Sequence, residues 1–185
     1  MSASYAGAAL KAGAPSEARD RVYSALLGRW KGQLEYRDFT SNQHVKLPTR
    51  LEITRAPGAD EPKVPATLAA LRFHYTYDDG PGKVVEETSA VTVDPAQDTY
   101  TVVNGAGTER DTYRILGLNQ FAHASHGKLM LVGTGEENNS KVEVRKTISL
   151  SVRALTILKE TRLPNAKFMF RNRYTLTRED EASAR

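Results

Sequence analysis

The sequence predicts an all-β protein, a single antiparallel up-and-down barrel of about ten strands behind one short helix. Three observations support this prediction. Apolar and polar residues alternate with a period of two in run after run, and strong turn signals separate the runs. The chain of 185 residues, 39% of them apolar, is long enough for one core and too short for two full-size domains.

The composition excludes several classes of protein. Cysteine is absent, which excludes a disulfide scaffold, a thiolate metal site and a thiol nucleophile. The 26 Lys and Arg residues exceed the 22 Asp and Glu residues by only four, and they are spread along the chain, so nucleic acid is not predicted as a partner. Because no run approaches the ~18 to 20 apolar residues of a membrane-spanning helix, no membrane span is predicted either.

Both ends of the chain differ in composition from the middle. Residues 1–15 are rich in Ala, Gly and Ser and are predicted to form a flexible leader, and the charged tail 178–185 is predicted to fray. The barrel domain is therefore expected over residues 16–177. The apolar stretch 8–10 is shorter than the roughly 7 to 15 residues of a secretory signal core, yet an Ala-rich start also suits a mature exported protein. Cytoplasmic and periplasmic locations both remain open.

A short helix is predicted before the first strand. Val22, Tyr23 and Leu26 recur at helical spacing, and Ser16 is the expected N-cap of a helix that ends near Leu27. Gly28 ends the helix, and the period of two begins after it. The alternating runs are 29–37, 45–53, 71–77, 83–93, 98–104, 108–116, 128–134, 141–152, 154–162 and 167–177.

The turns between these runs indicate meander connectivity. Examples are 78–82 (DDGPG), 94–95 (DP) and 105–107 (GAG), while the stretch 119–126 is irregular. A ten-stranded open sheet would leave two exposed edges, and closing it into a barrel removes them. A two-sheet sandwich has the same alternating signature and remains the alternative.

The start of the first strand resembles the lipocalins and the wider calycin superfamily. Gly28-Arg29-Trp30 after a short helix is similar to their Gly-x-Trp motif, and the last strand carries Arg171 and Arg173 as arginines of that pattern do. The resemblance implies that Trp30 plugs the closed end of the barrel and that both arginines are structural. The segments 28–38, 47–49 and 77–83 also look like those of small bacterial lipocalin-like proteins.

The sequence departs from this family in two respects. No cysteine pair ties down the end of the chain, as it does in many secreted lipocalins. The segment Asn172-Arg173-Tyr174 lacks the Arg-x-Tyr spacing with which fatty-acid-binding proteins hold a carboxylate.

The alternation also predicts which polar side chains face the lumen. If Trp30 and Leu34 point inward, Tyr36 and Asp38 do so as well. By the same rule the inner face includes the following polar residues of the other strands: Tyr75, Tyr77, Lys146, Asn172 and Tyr174. Phe168 and Phe170 are expected on the same face as Asn172. An apolar lumen with several convergent polar groups is typical of a ligand pocket, and these residues are the predicted ligand contacts.

Structural roles for the same residues remain open. The tyrosines can be ordinary core aromatics, and Lys146 can sit on a bulge or pair with Glu86 or Glu87. His44 and His74 fall on the predicted outer face. His123 and His126 are three residues apart but have no third ligand in sequence, so neither a metal nor a cofactor is predicted.

The predicted function is binding of a small hydrophobic or aromatic molecule in the lumen, as a carrier or sensor, by a monomer or homodimer. The sequence contains no recognised catalytic motif, and no catalytic residue is assigned. One alternative is an isomerase or cyclase that uses Lys146, Asp38, Glu86 or Glu87 and the tyrosines as acid and base. The other is a structural or interaction protein with a filled barrel.

Overall fold

The computed structural model describes residues 15–38, 40–56, 70–94, 96–116 and 126–179. The predicted leader up to residue 14, the segment 117–125 with His123 and the chain from residue 180 lie outside the described residues. Within the described ranges, no helix has the length and apolar character needed to cross a membrane.

One helix and ten strands follow one another along the described chain. The helix is α1 (Pro15–Leu26). The strands are β1 (Gly28–Arg37), β2 (His44–Arg55), β3 (Ala70–Asp78), β4 (Val84–Asp94), β5 (Thr99–Asn104), β6 (Arg110–Leu116), β7 (Gly127–Glu137), β8 (Ser140–Leu150), β9 (Ala154–Arg162) and β10 (Met169–Arg178). The prediction of about ten strands behind a short helix is confirmed.

The ten strands form one closed barrel, in which each strand pairs antiparallel with its neighbours in the chain. Strand β1 completes the closure because it pairs with both β2 and β10. Trp30 lies opposite Leu51 on one side and opposite Arg178 on the other. A closed barrel has no edge strand. Closure excludes the sandwich, which the alternating pattern also allowed.

Two predicted boundaries are corrected. The helix α1 begins at Pro15, so Ser16 is its second residue and does not stand at the predicted N-cap position. Arg178 is the last residue of β10 and donates its backbone N–H to the carbonyl of Arg153 at 2.9 Å. Arg178 therefore belongs to the barrel and not to a frayed tail.

The helix α1 closes one end of the barrel. Its residues Val22, Tyr23 and Leu26 are buried in the main core. The Tyr23 hydroxyl accepts a hydrogen bond from the Val93 N–H at 2.9 Å, and the indole Nε1 of Trp30 donates to the Leu26 carbonyl at 3.0 Å. Trp30 has no exposed surface. These contacts leave the opposite end of the barrel, where the β1–β2, β3–β4, β5–β6, β7–β8 and β9–β10 turns lie, as the open end.

Gly28 joins the helix to the barrel. Its φ of 123° lies in a region that residues with a side chain rarely adopt. A Cβ at this position would also lie 2.8 Å from Nη1 of Arg178. A glycine here therefore both allows the turn into β1 and leaves room for the Arg178 guanidinium.

Strand β10 contains a β-bulge that reverses the predicted faces at its start. The register against β9 shifts between Phe170 and Asn172, with Arg171 as the extra residue. Phe170 therefore stacks on the outer residue His44, with ring centroids 4.9 Å apart. Phe168 lies outside as well, beneath the guanidinium of Arg145 at 4.2 Å. The prediction that both phenylalanines share the inner face of Asn172 is wrong.

Candidate functional site

A cavity of about 500 Å³ opens at the end of the barrel opposite α1. Its walls come from the ends of strands and from the turns between them, which places it at the mouth of the lumen. Its apolar lining consists of Leu34, Leu47 and Val85. Five of the seven predicted ligand contacts line it: Tyr36, Asp38, Tyr77, Asn172 and Tyr174. Six further charged residues contribute: Arg37, Asp79, Glu87, Glu137, Lys159 and Arg171.

Three tyrosines form a packed cluster at the inner side of this cavity. The rings of Tyr75 and Tyr77 stack with centroids 5.9 Å apart, and Tyr75 contacts Tyr174 at 5.0 Å. Tyr75 lies below the cavity wall, on the lumen side of β3. Burial raises the pKa of Tyr75 and of Tyr77, and it raises the pKa of Tyr174 to about 12. All three hydroxyls therefore stay protonated near neutral pH and act as hydrogen-bond donors.

The tyrosine hydroxyls form a directed hydrogen-bond chain. The Tyr77 hydroxyl donates to Oε2 of Glu87 at 3.1 Å and lies 2.9 Å from the Tyr174 hydroxyl. Because Tyr77 has a single hydroxyl proton, Tyr174 must be the donor of the second bond. The chain runs from Tyr174 through Tyr77 to Glu87. The sequence offered Glu86 and Glu87 as possible partners of Lys146. Glu87 faces inward, whereas Glu86 lies on the outer face, with its Oε2 3.8 Å from Nε2 of His74.

Asp38 lines the cavity, but its carboxylate is engaged in the turn after β1. Oδ1 accepts hydrogen bonds from the backbone N–H groups of Thr40 at 3.1 Å and Ser41 at 2.7 Å, and from the Ser41 hydroxyl at 2.8 Å. These bonds lower the pKa of Asp38. The arrangement is that of an Asx turn, in which the side chain holds its own loop in shape.

Lys146 projects into the lumen, as the alternation along β8 predicts. Its ammonium lies 4.3 Å from the centroid of the Tyr113 ring. Burial, together with the positive charge of Lys159, lowers the pKa of Lys146 to about 8. Lys146 does not itself line the mouth cavity and lies deeper in the barrel, near Tyr113. Its role as a ligand contact stays a prediction.

Lys159 is a cavity residue that the sequence interpretation did not include. In the barrel it is the cross-strand partner of Lys146 on β8 and of Asn172 on β10. The same rule that selected Lys146 would have found it, because Leu155, Lys159 and Thr161 share one face of β9. Asn172 and Lys159 thus stand side by side in the cavity wall.

Arg171 and Arg173, both expected to be structural, have different surroundings. The bulge turns Arg171 inward, where its Nε donates to the Thr161 hydroxyl at 2.9 Å and its guanidinium pairs with Glu137. Arg173 lies on the outer face and donates to Glu35 at 2.7 Å. Neither arginine contacts Trp30; Arg178 does, with its guanidinium carbon 4.1 Å from the centroid of the Trp30 ring.

The histidines on the outer face match their predicted position. His44 Nδ1 lies 2.9 Å from the Glu35 carboxylate, and this bond together with that from Arg173 lowers the pKa of Glu35. His126 is exposed. Among the described residues, no three His, Asp or Glu side chains are grouped so that they could hold a metal ion.

The fold and the cavity define a class of protein: closed ten-stranded antiparallel barrels with a helix across one end and a polar-lined cavity at the other. No family model and no curated protein matches this chain. Among solved structures, the S-type phycobiliprotein lyase CpeS from Guillardia theta is similar over 92% of this chain and 99% of that chain, with a TM-score of 0.59 and 8% sequence identity. At this identity the likeness shows the fold alone.

Proposed function

We propose that the protein binds a small apolar or aromatic molecule in the barrel lumen, as a carrier or sensor. The observation that carries this proposal is the cavity of about 500 Å³ at the open end. That volume lies within the ~300 to 1,000 Å³ typical of ligand pockets. Leu34, Leu47 and Val85 supply apolar wall, and a few polar groups converge on the same space.

Side chains below the cavity support a hollow lumen. Tyr75, Lys146 and Ile157 point inward, yet each keeps part of its surface accessible. In a filled barrel these positions would be as fully buried as Leu131 or Leu155. The accessible surface indicates space that continues inward from the cavity, which favours a ligand over the filled barrel of an interaction protein.

One charged residue of the cavity, Lys159, favours a ligand with a hydrogen-bond acceptor. Glu137 pairs with Arg171, and Asp79 pairs with Lys83. Lys159 lines the cavity and forms no ion pair with any described residue, so its ammonium is available to a ligand. An apolar body with one carbonyl or carboxylate would fit this pattern.

The proposal also covers the family of the protein, the calycin superfamily, and an alternative function as an enzyme. Placement in the calycin superfamily is supported by the helix, by Gly28-Arg29-Trp30 and by the Arg178 contact on Trp30. The alternative function, an isomerase or cyclase, is supported by the hydrogen-bond chain from Tyr174 through Tyr77 to Glu87, which joins proton donors to a carboxylate inside the cavity.

The binding proposal is tested by blocking the mouth. Val85 lines the cavity and is 43% exposed, so Val85→Trp should fill part of the mouth without straining the core. Glu86→Trp, one residue on and on the outer face, is the matched control. We expect Val85→Trp to weaken binding of N-phenyl-1-naphthylamine at least tenfold, while Glu86→Trp binds it as the wild type does.

The outcomes separate the three functions. Equal binding by both variants, or no fluorescence enhancement with the wild type, would overturn the lumen site. Molecules that co-purify with the protein and are displaced by the probe are then incubated with fresh protein. If they are recovered chemically unchanged, the protein is a carrier or sensor, and recovery of a rearranged product identifies an enzyme.

A further inference from the structure

Two lysines face each other across neighbouring strands inside the barrel. Lys146 of β8 and Lys159 of β9 are direct cross-strand partners, and both project to the lumen. Neither forms an ion pair with any described carboxylate. Burial of the Lys146 amine and the adjacent positive charge of Lys159 both favour the neutral form of Lys146.

The groups around Lys146 do not neutralise it. Tyr113 presents its ring face to the ammonium at 4.3 Å. The two carboxylates that act on Lys146 from a distance are Asp111 and Glu87, and each already accepts a tyrosine hydroxyl: Tyr113 donates to Asp111 at 2.9 Å and Tyr77 to Glu87 at 3.1 Å. Leu131 on β7 and Ile148 on β8 are buried neighbours. The amine therefore sits among apolar groups, an aromatic face and a second cation.

We propose that Lys146 is a nucleophile that forms an imine with an apolar aldehyde or ketone held in the lumen. This inference rests on the proposed lumen binding and names the ligand class. The neutral amine adds its lone pair to the carbonyl carbon, the π pair of the C=O bond moves to oxygen, and one N–H proton transfers to that oxygen to give a carbinolamine. The C–O bond of the carbinolamine then breaks, the hydroxyl leaves as water with the remaining N–H proton, and the C=N bond forms. One water leaves, and no oxidant or reductant is needed.

The surroundings make Lys146 reactive in two ways. With a pKa of about 8, close to half of the Lys146 side chains carry no proton at pH 8. An ordinary exposed lysine is neutral in only about one copy in 250 at that pH. Desolvation or a cationic neighbour is the usual way in which a lysine amine is activated. The apolar walls further favour loss of water from the carbinolamine.

The experiment uses 2-naphthaldehyde and the matched alcohol 2-naphthalenemethanol, which cannot form an imine. The full-length protein is incubated with the aldehyde at pH 8 and reduced with cyanoborohydride. Intact mass and peptide mapping then count and locate the adduct. We expect one labelled lysine per chain, Lys146; the α-amino group, whose ordinary pKa is also about 8, is counted separately by peptide mapping. A label spread over exposed lysines, or found on another lysine in place of Lys146, would overturn the proposal without any variant.

Variants test the mechanism. Lys146→Met should lose at least ten-fold in labelling rate, whereas Lys46→Met, an exposed lysine of β2, should label as the wild type does. Lys159→Met removes the neighbouring charge and should slow labelling at pH 7 several-fold, because the pKa of Lys146 then rises. Unchanged labelling in Lys146→Met would contradict the proposal.

The alcohol separates this inference from the proposed function. If the alcohol displaces N-phenyl-1-naphthylamine but the aldehyde leaves no adduct on Lys146, lumen binding stands and the imine is excluded. If neither compound displaces the probe or labels the protein, both proposals fail.

Discussion

The guanidinium of Arg178 lies over the ring of Trp30, with 4.1 Å between the guanidinium carbon and the ring centroid. Its two terminal nitrogens donate to the carbonyls of Leu27 at 2.7 Å and Ala25 at 2.8 Å. Ala25 lies in the last turn of α1 and Leu27 directly follows the helix, where no further helical N–H groups satisfy these carbonyls. One side chain at the end of the last strand thus joins the helix, the first strand and the barrel closure.

Trp30→Ala should be strongly destabilising. Trp30 is fully buried and closes the helical end of the lumen, so its removal leaves a large void and frees the Leu26 carbonyl. We expect a loss of about 3 to 5 kcal/mol in the free energy of unfolding, measured by urea denaturation. A variant that unfolds at the wild-type urea concentration would show that Trp30 does not plug the barrel.

Arg178→Ala should lower the free energy of unfolding by about 1 to 3 kcal/mol. The partly buried carbonyls of Ala25 and Leu27 would lose charged donors, and the Trp30 ring would lose the guanidinium above it. The control is Arg29→Ala, whose partner is Glu52 in an exposed ion pair. That pair should contribute less than about 1 kcal/mol. The two variants are compared by thermal and urea unfolding, and equal losses would refute a special role for Arg178.

Removing the Lys146 charge should alter the pH dependence of stability. The pKa of Lys146 is about 8 in the folded protein, and an unfolded lysine has one near 10.4. Between these values the unfolded chain binds more protons, so this residue makes folding more favourable as the pH rises from about 8 to about 10. Lys146→Met should lack that rise and be more stable than the wild type near pH 7, by up to about 3 kcal/mol.

Urea unfolding of wild type and Lys146→Met at several pH values measures the effect, with Lys46→Met as the control that keeps it. Lys146→Met should also bind anionic probes more weakly. If its stability and probe binding both equal those of the wild type, Lys146 has no place in the lumen site.

Tyr77 should matter more than Tyr174 for stability. Tyr77→Phe removes both the donor to Glu87 and the acceptor of the Tyr174 hydroxyl, whereas Tyr174→Phe removes only one bond. We expect the free energy of unfolding to fall by about 1 to 3 kcal/mol in Tyr77→Phe and by about 0.5 to 1.5 kcal/mol in Tyr174→Phe. A double-mutant cycle with urea unfolding measures the coupling, and additive losses would disprove the chain.

The alternation along each strand was sufficient, with the turn signals between the strands, to predict the meander, the strand count and the inward face of Tyr75, Tyr77, Lys146 and Tyr174. This works because the period of two is a local property of a strand, and a barrel gives every strand one wet face and one lumen face. The outward positions of His44 and His74 follow from the same rule.

Only the tertiary structure decided the features that depend on residues far apart in the chain. The bulge at Arg171 arises in the pairing of β10 with β9, and it reversed the predicted faces of Phe168 and Phe170. A single inserted residue leaves no mark in an alternating pattern until its partner strand is known. The pairing of Lys159 with Lys146 likewise follows from the register of two strands.

The length and composition of the sequence predicted one domain, and its alternation predicted a strand pattern that a barrel and a sandwich share. The closure contact came from the fold: the Arg178 guanidinium meets the Leu27 carbonyl across 151 residues of sequence. The open space in the lumen is also a tertiary property, because it depends on how side chains from ten strands fill one volume. Neither the contact of Arg178 nor the open space in the lumen is encoded in any single segment of the chain.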